Sequence, residues 1–149
     1  MIRKAVPADI EKIAQIYADA YSEIHQKESS LDFLIPEISQ DLKENEFRIA
    51  EVDGKVAGVI IYYTYQGYDE PTAYLKFLGI LEEFRRNGIG KSLINTMESE
   101  CRTKGIKKIL LDVNSKSSKA RALYNSLGYA ENGMIQMEKE LTGGDSSSQ

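Results

Sequence analysis

The chain has 149 residues, of which 42% are hydrophobic and 28% charged, and its formal net charge is −4. That length is enough for one domain with a real core and too short for two typical ones, and the composition is ordinary for a globular protein. The negative charge argues against nucleic acid or an anionic membrane surface as a partner, and the longest apolar runs are far too short to span a bilayer.

Cysteine and histidine are scarce, which narrows the chemistry. The single cysteine, Cys101, cannot form an internal disulfide, and the N-terminus lacks the apolar stretch of a signal peptide, so we expect a cytoplasmic protein. The single histidine, His25, makes a multi-histidine metal site within one chain impossible and leaves little basis for a Ser/His or Cys/His hydrolase. We therefore expect no bound metal.

The first half of the chain predicts strands and helices in alternation. Apolar residues follow helical spacing from Ile10 to Ile24, and Asp53-Gly54 is a two-residue hairpin signal. The predicted elements are a strand Ile2–Ala5, a helix after Pro7 to about His25, a loop Gln26–Pro36, a second helix Glu37–Lys43, and strands Phe47–Val52 and Lys55–Tyr65.

The second half continues the alternation. Gly105 ends a helix that carries Cys101 on its apolar face, and Asn132-Gly133 is a second hairpin signal. The predicted elements are a strand Thr72–Leu81, a helix entered through Arg86–Ser92, a strand Ile109–Val113 covered on both faces, a helix Ser117–Ser126, and strands Gly128–Glu131 and Met134–Leu141.

This order of elements predicts an α/β protein with a mixed sheet and helices on both faces. We find no internal repeat and no linker, so residues 1–141 are expected to form a single domain. The small polar residues 142–149 are expected to be a disordered tail.

A strand that runs through a glycine-containing turn into a helix is a candidate phosphate site. Helix N-terminal N–H groups lack internal partners, and Gly88 and Gly90 would let the backbone approach a ligand closely. A P-loop would need glycine where Arg85 stands, and a dinucleotide fingerprint would need glycine at Leu93. The pattern present is Arg-x-x-Gly-x-Gly over Arg85–Gly90, which a plain strand–helix turn could also carry.

The Arg-x-x-Gly-x-Gly pattern resembles the acetyl-CoA pyrophosphate loop of the GNAT N-acetyltransferases. A second block resembles the later half of that family, nearest in motif to its ribosomal-protein N-terminal acetyltransferase branch. The block consists of Leu111-Asp112-Val113, Ser117, Ala120, Leu123-Tyr124 and Leu127-Gly128-Tyr129. The resemblance covers about residues 2–141.

The resemblance implies the GNAT fold, a twisted mixed sheet splayed between two central strands, with acetyl-CoA in the cleft. It assigns cofactor contacts to Leu78, Gly79 and Ile80 for the pantetheine arm, to Arg85, Arg86, Asn87, Gly88, Ile89, Gly90, Lys91 and Ser92 for the pyrophosphate, and to Ser117. The family often has asparagine where this chain has Ser117, and Asn114 is a candidate substitute.

Two residues are candidates for proton transfer by the same resemblance. Tyr124 matches the tyrosine that protonates the departing sulfur, although a core aromatic would follow the same pattern. Asp112 sits where the ribosomal-protein branch has a glutamate base, and a purely structural carboxylate stays an equal alternative. Another family base position holds Lys76, and water-mediated deprotonation assisted by Glu70, Glu82 or a tyrosine also stays open.

The implied function is acetyl transfer from acetyl-CoA to a primary amine by direct attack in a ternary complex. The acceptor is a protein N-terminus, a lysine or a small amine, and the residues do not choose among them. The alternative is a non-catalytic acyl-CoA-binding or regulatory module on the same fold. Whether the chain forms a homodimer is also left open.

Overall fold

The computed structural model describes residues 1–25 and 31–141. The chain forms two compact units, Met1–Asn114 and Ser115–Gln149. Residues 26–30 of the predicted loop and the predicted tail 142–149 lie outside the described residues. No helix among the described residues is long and apolar enough to cross a membrane.

The first unit is built on a sheet of five strands, and the sheet is mixed, as predicted. Its strands are β1 Ile2–Lys4, β2 Glu46–Val52, β3 Lys55–Gln66, β4 Pro71–Ile80 and β5 Lys108–Leu111. They lie side by side in chain order, antiparallel from β1 to β4 and parallel between β4 and β5. Within the described residues β5 is an edge strand, whereas we expected both strands at the splay to be central.

The helices of the first unit pack on both faces of this sheet. They are a 3-10 turn Pro7–Asp9, α1 Ile10–His25, α2 Leu31–Glu44 and α3 Ile89–Thr103. The second unit has one helix among its described residues, α4 Ser118–Ser126. Ile49, Val59 and Ile61 of the sheet form one buried cluster with α1 and α2. Side chains that alternate with them point to the other face, where Arg48 and Tyr62 both hydrogen-bond Glu100 of α3.

The hairpin between β2 and β3 follows its sequence signal. Asp53 and Gly54 have φ of 52° and 77°, and the flanking Val52 and Lys55 are paired. Two consecutive positive φ angles define a type I′ turn, whose twist matches that of the strands. This local prediction is confirmed.

The second helix is longer than expected, because it starts at Leu31 and contains Pro36. The loop prediction is therefore wrong for residues 31–36. Leu34, Ile35 and Ile38 have helical spacing and all pack against the core of the first unit. Burial of this apolar stripe outweighs the one backbone hydrogen bond that a proline removes.

The second unit contains α4 but not the two predicted last strands. Residues 128–141 have no strand assigned, and Met134, Ile135 and Met137 are more than 80% exposed. The hairpin signal produces only a local turn, in which Gly133 has φ of 86° and the Met134 N–H donates to Asn132 Oδ1 over 3.0 Å. A strand needs a partner ladder, and a turn residue alone does not supply one.

Candidate active site

The point where β4 and β5 part is the main opening in the sheet. The two strands pair only from Thr72 opposite Lys108 to Leu75 opposite Leu111. The next residue, Lys76, is a β-bulge, because Ile61 of β3 pairs with Phe77 whereas Tyr62 pairs with Leu75. Beyond it β4 continues to Ile80 with no strand on its β5 side among the described residues.

Backbone groups of Leu78 and Ile80 face that open edge. The N–H of Leu81 donates to Ala57 of β3 over 2.9 Å. Since backbone groups alternate in direction along an antiparallel strand, those of Leu78 and Ile80 point away from β3. These are two of the residues expected to line the cofactor cleft. The Ile80 carbonyl is not vacant, because it accepts a hydrogen bond from Arg85 Nε over 3.0 Å.

Gly79 has a packing role that the sequence did not reveal. A Cβ built on it would lie 2.6 Å from Ile16 Cγ2 of α1 and 2.7 Å from the Phe77 ring. Such a contact is far inside van der Waals distance, so only glycine lets α1 lie on β4 here. The side-chain direction of Gly79 faces α1, not the open edge.

The glycine loop continues from β4 into α3 with unusual backbone angles. A 3-10 turn, Glu82–Phe84, is followed by Arg86 at φ of 68° and Gly88 at φ of 73°. Positive φ is uncommon for a residue with a side chain such as Arg86, and such strain clusters at ligand-binding turns. Asn87 Nδ2 braces the loop by donating to the Phe84 carbonyl over 3.2 Å.

The N-terminus of α3 is open to a ligand. Gly88 is the N-cap, no side chain among the described residues caps the first turn, and that turn contains no acidic residue. No atom of residues 1–25 and 31–141 lies within 4 Å of the position where a Gly88 side chain would start. The first-turn N–H groups of Ile89, Gly90 and Lys91 therefore carry the partial positive charge of the helix end without a side-chain partner. This arrangement suits a phosphate or pyrophosphate group.

Asp112 follows directly on the end of β5 instead of lying inside it. It is exposed, and its Oδ2 accepts a hydrogen bond from the Tyr74 hydroxyl at 2.5 Å. Burial and this hydrogen bond raise the pKa of Tyr74 to about 12, so at neutral pH the tyrosine keeps its proton. The strand is half-buried, not covered on both faces as predicted, since Ile109, Leu110 and Leu111 all remain partly exposed.

Lys76 and its surroundings lie on the α1 and α2 side of the opening. Its Nζ pairs with Asp41 Oδ2 over 2.7 Å. Beside it, the ring of Tyr17 stacks on Phe77 at 3.9 Å between centroids. Burial and the nearby carboxylates of Asp41 and Glu37 raise the pKa of Tyr17 to about 12. Lys76 is thus held in an ion pair at the bulge.

The tyrosines near β3 and β4 do not form one group. Tyr62 is fully buried on the α3 face, where its hydroxyl donates to Glu100. Tyr63 and Tyr65 lie on the other face with Tyr74, at ring separations of 6.0 Å from Tyr63 to Tyr65 and 5.5 Å from Tyr63 to Tyr74. The hydrogen bond between Tyr74 and Asp112 was missed, since it joins residues 38 apart.

The second unit holds the remaining predicted site residues apart from Asn114. Tyr124 on α4 is half-buried, contacts the Tyr129 ring edge-on at 5.8 Å, and has its pKa raised to about 12 by burial. Ser117 is the N-cap of α4, and within the described part of the chain its side chain makes no capping hydrogen bond. Asn114, the last residue of the first unit, is exposed.

Comparison with known proteins identifies this arrangement. The sequence model of the Acetyltransferase (GNAT) family matches residues 10–129. A possible acetyltransferase from Clostridium difficile 630 has a similar structure, with 24% identity, a TM-score of 0.84, and coverage of 95% of this chain and 97% of that chain.

Two further solved structures are similar. A ribosomal-protein-alanine N-acetyltransferase from Brucella melitensis biovar Abortus 2308 has 20% identity and a TM-score of 0.78, covering 94% of this chain and 98% of that one. An aminoglycoside N-acetyltransferase in complex with CoA has 18% identity and a TM-score of 0.79, covering 94% and 93%. At such identities these structures show a shared fold. With the family match over most of its length, the chain belongs to the GNAT acetyltransferase family and is an acetyl-CoA-dependent acyltransferase.

Proposed function

We propose that this protein transfers the acetyl group of acetyl-CoA to a primary amine by direct attack of the amine on the thioester. The observation that carries the proposal is the continuous path from the open edge of β4 to the uncapped N-terminus of α3. The family model spans residues of both units, which supports a single acetyltransferase domain over residues 1–141. One similar structure contains CoA, which supports that co-substrate.

Cofactor binding is assigned to two parts of this path. The backbone groups of Leu78 and Ile80 would pair with the amides of the pantetheine arm, with Gly79 between them. The loop and first helical turn would hold the pyrophosphate through their backbone amides, from Arg86, Asn87, Gly88, Ile89, Gly90 and Lys91, with Arg85 and Ser92 at its ends. The open space at Gly88 and the missing cap support this assignment.

Proton transfer is assigned to Tyr124 and Asp112. Tyr124 would protonate the departing sulfur, since its hydroxyl is protonated at neutral pH and can donate. Asp112 would accept the amine's proton, directly or through water. Its exposed carboxylate at the end of β5 supports this role, as does the pairing of Lys76 with Asp41, which leaves Lys76 unsuited to act as a base. Asn114 and Ser117 are secondary candidates for cofactor contact.

The deciding experiment is a thiol-release assay with acetyl-CoA and a panel of amines, N-terminal peptides and lysine peptides. We expect release of CoA thiol that depends on an acceptor, with a matching acetylated product by mass spectrometry. A folded protein that binds CoA in calorimetry but acetylates no acceptor in the panel would contradict acetyl transfer to amines. That result would still support the proposed CoA-binding site.

A further inference from the structure

Three tyrosine rings remain uncovered on the sheet face that α1 and α2 otherwise cover. Tyr63 is 36% exposed and Tyr65 is 41% exposed, and Tyr74 is half-buried between Tyr63 and Asp112. We call the rings of Tyr63, Tyr65 and Tyr74 the tyrosine patch. Clustered aromatic rings that remain accessible beside a reaction site are a common feature of ligand-binding surfaces.

The patch borders the opening between β4 and β5. Tyr74 directly precedes Leu75, the last residue of β4 that pairs with β5, and Asp112 directly follows Leu111, its partner. The bulge at Lys76 is what places Tyr63 opposite Tyr74, because an unbroken register would pair Tyr63 with Leu75. A molecule whose amine reacts in the opening can therefore rest its other end on the patch.

The electrostatics of the patch favour a cation. Aromatic faces carry negative partial charge and attract ammonium groups within about 6 Å of the ring centre. Asp112 at its border makes no ion pair within residues 1–25 and 31–141, and it accepts a hydrogen bond from the neutral hydroxyl of Tyr74. Lys76 pairs with Asp41 at 2.7 Å and Lys108 pairs with Glu70 at 3.6 Å. Asp112 thus places a carboxylate beside the three aromatic faces of the patch.

We propose that the tyrosine patch holds a second cationic group of the acceptor, and that the acceptor is a small aliphatic diamine. The inference rests on the proposed function and refines it. One ammonium binds across the rings of Tyr63 and Tyr65, whose centroids are 6.0 Å apart, while the other amine lies in the opening, where Asp112 accepts its proton. The ring of Tyr74, 5.5 Å from that of Tyr63, lies between the two amines and contacts the methylene chain.

The test compares 1,5-diaminopentane with 1-aminopentane, which has the same chain but no second cation. The wild type should show a lower KM for the diamine. Tyr63→Leu and Tyr65→Leu should each raise that KM about 2- to 5-fold, with little change for the monoamine, because leucine keeps apolar bulk but has no π face. Tyr63→Phe keeps the ring and should stay within about twofold of the wild type.

Tyr68→Leu is the matched control, since Tyr68 is fully exposed and outside the patch. It should leave both KM values unchanged, and the KM for acetyl-CoA should be constant throughout. Equal use of the two amines by the wild type, equal damage from Tyr63→Phe and Tyr63→Leu, or equal damage from Tyr68→Leu would overturn the diamine proposal. None of these outcomes would contradict the proposed function, because the monoamine would still be acetylated. The proposed function is contradicted by a different result, namely that no amine is acetylated.

Discussion

Substitution of Gly88 tests the proposed cofactor site directly, because Gly105 provides a matched control. Gly88 begins α3 at φ of 73°, and Gly105 follows its end at φ of 79°. In the part of the chain that the structure describes, neither has any atom within 4 Å of the position of an added Cβ. Replacing either by alanine therefore introduces the same left-handed strain of about 1–2 kcal/mol and no clash.

The two substitutions should differ in ligand binding. A methyl group at Gly88 would occupy the space next to the first-turn N–H groups of α3, whereas one at Gly105 lies at the other end of the helix. Loss of one or two hydrogen bonds between backbone N–H groups and pyrophosphate is worth about 1.5–3 kcal/mol. That corresponds to an increase in the Kd for acetyl-CoA of about 10- to 100-fold for Gly88→Ala. For Gly105→Ala we expect an unchanged Kd.

The measurements are urea unfolding and isothermal titration calorimetry of both variants. Unfolding should show similar losses of stability, which removes misfolding as an explanation for weaker binding. Two results would refute the reasoning: a wild-type Kd for Gly88→Ala, or an equal loss of affinity in Gly105→Ala. The bulkier Gly88→Val should weaken binding further, but its β-branched side chain is less compatible with positive φ.

Three more predictions concern single side chains. Tyr124→Phe should lower kcat about 10- to 1,000-fold while Tyr129→Phe, its ring neighbour, should not, and full activity of Tyr124→Phe in steady-state kinetics would assign Tyr124 to packing. Asp112→Asn should lower kcat most for acceptors with a lysine-like pKa, because their deprotonation at neutral pH costs about 4–5 kcal/mol. The measurement is the pH–rate profile with one α-amine acceptor and one lysine-like acceptor. If both profiles keep the parent's rate and acidic limb, Asp112 is structural. Asp9→Asn should cost about 2–3 kcal/mol of unfolding free energy at pH 7, since buried Asp9 accepts hydrogen bonds of 2.8 and 2.9 Å from Arg3. These bonds lower the pKa of Asp9. Their contribution to the free energy of unfolding is therefore present above the ordinary pKa of an aspartate, ~4, and is lost as pH falls through the folded-state pKa. Urea unfolding of both proteins should therefore give a difference that shrinks below about pH 4, and a constant difference would contradict this account.

Local signals in the sequence determined much of the fold. Asp53-Gly54 specifies a type I′ turn by its own backbone preferences, and the strand before Arg85 leads into a helix because glycine at position 88 permits the entry angle. The mixed sheet, the long first helix and the glycine loop could all be predicted, because periodicity and turn residues act over a few positions.

Packing against the rest of the chain overrode local signals elsewhere. Pro36 suggested a loop, but the apolar residues around it pack on the core and keep it helical. Asn132-Gly133 suggested a hairpin, but the flanking residues have no strand partner within the described chain. In both cases the structure of the segment depends on the residues it packs against or pairs with. Those residues are distant in the sequence, so a short stretch of sequence does not reveal them.

The details of the site were decided by tertiary structure alone. Side chains alternate between the two faces of a strand, so Tyr62 and Tyr63 must lie on opposite faces of the sheet. Which of the two is buried depends on where the helices pack. The bulge at Lys76 then shifts the register, so that Tyr63 meets Tyr74 and Tyr74 reaches Asp112. The sequence by itself indicated which residues are candidates for the chemistry. The bulge and the end of β5 decided which of them meet, because strand register is a property of two strands together.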